Sequence, residues 1–187
     1  IENSEFNREE RVLLAEELEF LEHYVRLQQI RYGRSFQTTY AIDPGLGRCR
    51  LLRLSLQPIV ENAILHGLSQ IGEGGILHIV ARHNGDQLEI RISDNGHGIS
   101  SARLASIGEL ENEGGEHLGI RNVKERLALY YGDRASLTLE SPNPFDPAGM
   151  GTCVTILLPL DYGVIAGSPD IIAAAKAQGT SQAVLGI

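Results

Sequence analysis

Apolar positions along this chain switch between helical and strand periods. Over residues 12–33, Leu14, Leu18, Leu21, Val25 and Tyr32 recur at spacings of three, four and seven, and Glu16, Glu17, Glu19 and Glu22 fill the other face. That pattern predicts an amphipathic helix. Acids crowd its first half and Arg26 and Arg31 its last, as the helix dipole favours, and Gly33 supplies a stop. Periodicity leaves open whether it is a surface helix or half of a dimerising hairpin. Phe36 to Asp43 alternates like a strand and ends at Pro44-Gly45. A helix is expected over about 54–67, then strands over 76–83 and 87–93 joined at Asn84-Gly85-Asp86, a favoured hairpin turn. Ser100 or Ser101 can cap a short helix, and 108–118, rich in Gly and Glu, reads as a mobile loop. Residues 119–131 form a second clear helix, with Ile120, Val123, Leu127 and Tyr130 on one face and Gly132 behind it. Strands are expected over 135–140 and 152–158, separated by a loop rich in Pro and Gly. Beyond 162 the chain turns to Ala and Gly, where Ser168-Pro169-Asp170 signals a short helix to about 178. No internal repeat is visible. The mix predicts an α+β fold, a two-layer α/β sandwich behind an N-terminal amphipathic helix.

At 187 residues the chain accommodates one full core with an appendage. Its net charge of -8 argues against a nucleic-acid or anionic-membrane surface. A bound polyanion such as a nucleoside triphosphate would have to be held locally, by backbone amides, a metal ion and a few placed cations. Cys49 and Cys153 follow no metal-ligand spacing; Cys153 lies in an apolar strand and reads as a buried free thiol, which fits a reducing compartment. No apolar run reaches the length of a membrane span and no signal peptide is visible. The chain begins at Ile1 without Met and reads as a fragment, which leaves room upstream for a membrane anchor.

Four segments carry candidate chemistry. In the 54–67 helix, Leu56, Val60, Ala63, Ile64 and Gly67 make a buried stripe, while Asn62 and His66 stand four apart on one face with Glu61 beside them. An amide oxygen can ligate Mg²⁺, and an imidazole one turn away can reach a phosphate oxygen; the alternative is a pair satisfied by solvent or neighbours. Asp94-Asn95-Gly96-His97-Gly98 ends a strand. It is either a hairpin turn or a carboxylate that accepts a hydrogen bond from an exocyclic amine such as that of adenine, with glycines that let backbone approach the ligand. At His117-Leu118-Gly119-Ile120 a Gly-containing loop runs into a helix, whose free amides suit phosphate. Gly149-Met150-Gly151-Thr152 precedes a strand.

These segments, in this order, resemble the N, G1, G2 and G3 boxes of the GHKL (Bergerat-type) ATP-binding fold shared by gyrase, heat-shock chaperone, histidine kinase and mismatch-repair ATPases. The wording Leu56-Gln57-Pro58-Ile59-Val60-Glu61-Asn62-Ala63-Ile64-Leu65-His66-Gly67 is similar to that of the LytS-type sensor histidine kinases. So is Gly119-Ile120-Arg121-Asn122-Val123-Lys124-Glu125-Arg126-Leu127, and so is the leading helix with Tyr24 and Gln28-Gln29-Ile30-Arg31-Tyr32-Gly33. The resemblance spans roughly 12–160. It implies that Asn62 holds Mg²⁺, His66 contacts phosphate, and Asp94 binds the adenine amine with Gly96 and Gly98 shaping that wall. Gly119 would start the helix under the phosphates, Thr152 would support the adenine end, and Glu61 would assist proton removal from the phosphoacceptor imidazole. Implied partners are ATP or ADP, a response regulator of the LytTR type and a second copy in a full-length homodimer; no nucleic acid is expected.

Three departures stand out. His117 replaces a G2-box glycine, Leu52 and Arg53 replace prolines ahead of the N box, and no Asn-Pro-His-Phe type phosphoacceptor motif occurs. His23 reads as a solvated helix residue. The expected division is therefore 1–33 as the last helix of the dimerisation and phosphoacceptor region, 34–161 as the ATP-binding catalytic domain, and 162–187 as a tail. The expected function is the cytoplasmic catalytic domain of a membrane-anchored sensor histidine kinase, passing the ATP γ-phosphoryl to an upstream histidine. The alternatives are another GHKL ATPase, an anti-sigma type serine kinase, or a non-catalytic nucleotide-binding module.

Overall fold

The computed structural model describes residues 10–33, 35–102, 104 and 118–163. The expectations for the 108–118 loop up to His117, and for the Ala/Gly-rich tail beyond Gly163, lie outside them. The chain begins with a short strand β1 (Arg11–Leu13) that runs directly into helix α1 (Leu14–Arg31). Strand β2 (Phe36–Ile42), a 3₁₀ turn at Leu46–Arg48 and strand β3 (Arg50–Leu52) follow. Helix α2 (Gln57–Asn62) continues without a break as a π-helical turn (Ala63–Leu68). Strands β4 (Gly75–Asn84) and β5 (Gln87–Asp94), helix α3 (Leu118–Tyr131), and strands β6 (Ser136–Glu140) and β7 (Cys153–Pro159) complete the order.

Five strands form one sheet in the order β2-β4-β5-β7-β6, with β2 parallel to β4 and the other pairings antiparallel. The register explains the layering. Ile79, Ile92 and Val154 stand opposite one another across β4, β5 and β7, as do Ala81, Ile90 and Ile156. Period-two alternation therefore puts these rows on one face. They are buried with Leu14, Leu21 and Val25 of α1, Ile59 and Val60 of α2, and Ile120, Val123 and Leu127 of α3 in a single core. Each Leu, Ile or Val among them contributes on the order of 1.5–3 kcal/mol by leaving water. This is the expected two-layer α/β sandwich.

The helix predicted over 12–33 starts later than expected. Arg11, Val12 and Leu13 pair with Leu52, Leu51 and Arg50 in a separate two-stranded ladder. The stop at Gly33 holds, with φ of 66°. The stripe is as expected at Leu14, Leu21 and Val25, and His23 lies exposed with its Nδ1 against the Glu19 carbonyl at 2.9 Å. One acid departs from the expected polar face: Glu17 is buried, only 7 % exposed. In α3, Tyr131 rather than Tyr130 joins the fully buried set. The hairpin forms as predicted, with Asn84 opposite Gln87 and Gly85 at φ of 60°. Cys49 and Cys153 are both buried free thiols, and burial pushes both above the ordinary thiol range, so neither is a ready nucleophile.

Candidate functional site

Strand β5 is the place to begin. Leu88, Ile90 and Ile92 point into the core, and the next residue in that row is Asp94, 1 % exposed. A carboxylate therefore occupies a position the alternation reserves for an apolar side chain. Its Oδ1 accepts the Gly96 N–H at 2.8 Å and its Oδ2 accepts the Thr152 hydroxyl. Its backbone N–H donates to the Thr152 carbonyl at 2.9 Å, and its carbonyl accepts Asn143 Nδ2 at 3.0 Å. Burial pushes its carboxyl above the ordinary value of 3.8, against the pull of the Thr152 and Gly96 hydrogen bonds. Among the described residues each oxygen accepts one hydrogen bond, which leaves lone pairs able to accept from a further donor.

Glycines form the walls of this seat. A Cβ at Gly67 would stand 2.7 Å from Asp94 Oδ1, and one at Gly96 would stand 2.6 Å from the Gly67 backbone. Gly151, at φ of 74°, lies so close that its Cβ would fall 2.6 Å from the Asp94 carbonyl carbon. Gly98, at φ of 71°, abuts Ser141 Oγ, which accepts the Ile99 N–H at 2.8 Å and donates to the Gly151 carbonyl at 3.0 Å. The first and last candidate segments thus meet the second at one point: Gly67 from the helix, Gly96 from the turn, Gly151 and Thr152 from the loop before β7. Asn143 and Ser141, which the sequence did not mark, brace that loop; they sit in a Pro-rich stretch with no periodicity to single them out.

The helix that delivers Gly67 is not regular. Ala63–Leu68 is π-helical, and Ser69 N–H donates to the carbonyl of Ile64 at 2.8 Å, five residues back. Such turns recur at functional sites because the extra residue re-aims the side chains that follow. Here it separates Asn62, the last residue of α2, from His66; both are partly exposed. Glu61 is also partly exposed, and its Oε1 accepts Gln57 Nε2 at 2.6 Å. Tyr24 of α1 lies within electrostatic reach: burial, and secondarily the Glu61 carboxylate, raise its hydroxyl to about 12. Gly119 lies in the first turn of α3, where a Cβ would come 3.2 Å from Pro58 Cβ, so its bareness serves α3–α2 packing. The start of α3 is thereby held beside α2.

A helical layer thus lies over a mixed sheet, and a buried acceptor carboxylate is cradled by glycines, one of them from the helix that carries Asn62 and His66. Residues 48–162 match the family model for the histidine kinase-, DNA gyrase B- and HSP90-like ATPases, and the chain belongs to that family. Within it the chain is a LytS-type sensor histidine kinase ATP-binding domain. It is 31% identical over 154 residues to the sensor protein LytS of Staphylococcus haemolyticus, covering 81% of this chain and 25% of that one. It is 28% identical to the sensor histidine kinase YesM of Bacillus subtilis over 88% of this chain and 27% of the relative. The chain thus spans about a quarter of the length of these curated relatives. Among solved structures, the catalytic domain of histidine kinase ThkA shares the fold with a TM-score of 0.59 and 13% identity, over 81% of this chain and 95% of that one. The mycobacterial sensor histidine kinase MprB does so at 0.56 and 18%, over 81% and 97%.

Proposed function

We propose that this chain binds ATP and transfers its γ-phosphoryl group to a histidine on an upstream helix of the whole sensor kinase, which then serves a response regulator of the LytTR type. The observation that carries the reading is the Asp94 seat. A buried carboxylate with one donor per oxygen suits the exocyclic amine of adenine; guanine presents an oxygen there, which would face the carboxylate lone pairs unfavourably. Thr152 orients the carboxylate, and Gly96 and Gly98 keep the wall thin. His66 contacts phosphate and the start of α3 at Gly119 lies under it. Glu61, steadied by Gln57, assists removal of the imidazole proton.

The donor set fits Mg²⁺ as a shared ligand. Among the described residues no group of three His, Cys, Asp or Glu side chains could hold a metal ion by itself. Asn62 Oδ1 would hold Mg²⁺ together with phosphate oxygens of the nucleotide, since this cation takes few protein ligands when substrate phosphates supply the others. When bound, Mg²⁺ neutralises charge on the transferring phosphoryl group.

Residues 1–33 are read as the end of the dimerisation and phosphoacceptor region, 34–161 as the catalytic domain and 162–187 as a tail. Support for the homodimer comes from α1, whose outward side carries Phe20, Leu27 and Ile30 at 52%, 64% and 76% exposure, spaced with His23 by three, four and three residues. That is a coiled-coil seam with no partner in the described chain. No helix among the described residues is long and apolar enough to cross a membrane; the reading places this domain in the cytoplasm beneath an anchored sensor. The test is titration of Mg-ATP followed by incubation with a separate fragment bearing the phosphoacceptor helix. Phosphohistidine on that fragment is expected. ATP binding without transfer, under conditions where a related kinase domain transfers, would leave a nucleotide-binding signalling module instead.

A further inference from the structure

Glu17 is a carboxyl side chain buried outside the Asp94 seat, and nothing in phosphoryl transfer calls for it. Its position is specific. From α1 it reaches across 37 and 39 residues of sequence to the turn before α2: Oε1 accepts the Leu54 N–H, and Oε2 accepts the Leu56 N–H at 3.0 Å. Leu54 is the one non-glycine residue at positive φ among those described, at 59°. The left-handed conformation costs an ordinary side chain on the order of 1 kcal/mol or more, so something must hold it. No side chain of its own turn caps α2, and Leu56 is fully buried; without Glu17 its amide would be orphaned. Arg53, which precedes Leu54, is held from α3: Arg126 Nη2 donates to the Arg53 carbonyl at 2.9 Å. The turn is thus fixed by one side chain from each flanking helix. It sets where α2 begins, and six residues on stand Asn62 and the π turn that carries His66 and Gly67.

We propose that Glu17 is a positioning residue for the nucleotide site, acting through the Leu54–Leu56 turn to set the placement of Asn62, His66 and Gly67. The same contact makes ATP affinity depend on how α1 sits against the turn before α2. The inference rests on the nucleotide-site reading above.

The test compares Mg-ATP affinity by titration calorimetry, well below each melting temperature, for the native chain, Glu17→Gln and Leu21→Ala. Glu17→Gln keeps one acceptor oxygen but points an amide N–H₂ at a backbone N–H. It should weaken Mg-ATP by about fivefold or more, the effect of one lost charge-assisted hydrogen bond relayed to the site. Leu21→Ala removes core packing from the same helix without touching the turn; it should lower the melting temperature at least as much yet leave affinity within about twofold. Equal affinity of Glu17→Gln and native protein, or equal weakening by Leu21→Ala, overturns the inference. Should Glu17→Gln not fold, Arg126→Met, altered on an exposed face, carries the test: a loss of about twofold or more is expected, and unchanged affinity overturns it. A native chain that binds no ATP overturns the nucleotide-site reading itself, a distinct result.

Discussion

Replacing Asp94 by Asn should separate binding from folding. The geometry dictates how the amide sits. Its oxygen must stay at the Oδ1 position to accept the Gly96 N–H at 2.8 Å, because an N–H₂ group there would oppose a donor. The N–H₂ then falls at the Oδ2 position, where the Thr152 hydroxyl can rotate from donor to acceptor. Both internal hydrogen bonds survive in altered form. Burial already disfavours the charge on this carboxyl, so the neutral amide should cost the fold little. The ligand fares worse. The adenine amine exchanges an ionised acceptor for a neutral one, or meets a second donor, a loss of about 1–3 kcal/mol, equivalent to about 5- to 150-fold in affinity. Calorimetric titration with ATP and a parallel denaturant melt measure the two quantities. An unchanged dissociation constant would refute the adenine assignment, and a melt shifted by several kcal/mol would refute the account of the seat.

Other outcomes follow from the same coordinates. Stability should carry the sign of Asp94's raised pKa: the folded chain holds that proton more tightly than the unfolded one. Its carboxylate therefore costs stability once pH exceeds 3.8, increasingly until the raised folded value is passed. The stability of Asp94→Asn relative to native protein should accordingly improve over that window and then level off; a difference flat with pH in chemical denaturation would contradict the burial argument. Gly151→Ala should destabilise by about 1–3 kcal/mol and abolish ATP binding, since its Cβ has no space beside the Asp94 backbone; a thermal melt and a titration decide. Asn62→Ala should erase the Mg²⁺-dependent gain in ATP affinity while leaving metal-free binding within about twofold, read by titrations with and without chelator. Leu27→Glu, on the exposed face of α1, should weaken the proposed homodimer of the longer protein, read as a lower mass by light scattering.

The elements with a clean period were legible. Period two in β4, β5 and β7, and the three-four spacing in α1 and α3, required only the apolar pattern, and Asp94 was legible as a carboxylate at a strand end, although not as a buried member of the core row. Candidate residues from three segments meet at one seat because strand pairing brings Asp94 beside Thr152 and the π turn brings Gly67 against Asp94. The π turn itself was hidden: a helix with five-residue hydrogen bonds shares its apolar pattern with an ordinary one over so short a span. Strands β1 and β3, three residues each, are too short to show a period. Glu17 was legible in part: three residues after Leu14 and four before Leu21, it stands on the edge of the buried stripe, but the backbone amides that satisfy its carboxylate lie in a turn some forty positions away.

The ladder of β1 with β3 has a practical consequence. Arg11 pairs with Asp161, the Asp161 carbonyl accepts the Arg50 N–H at 2.6 Å, and the Asp161 N–H reaches Cys49 Sγ at 3.4 Å. Residues near both limits of the described chain are therefore stitched to the same short strand and its neighbour. In engineering terms the domain is a cassette whose two leads share one socket. Spliced at these residues into a surface loop of a host protein, it would bring the host's two chain ends together at β1 and just past β7.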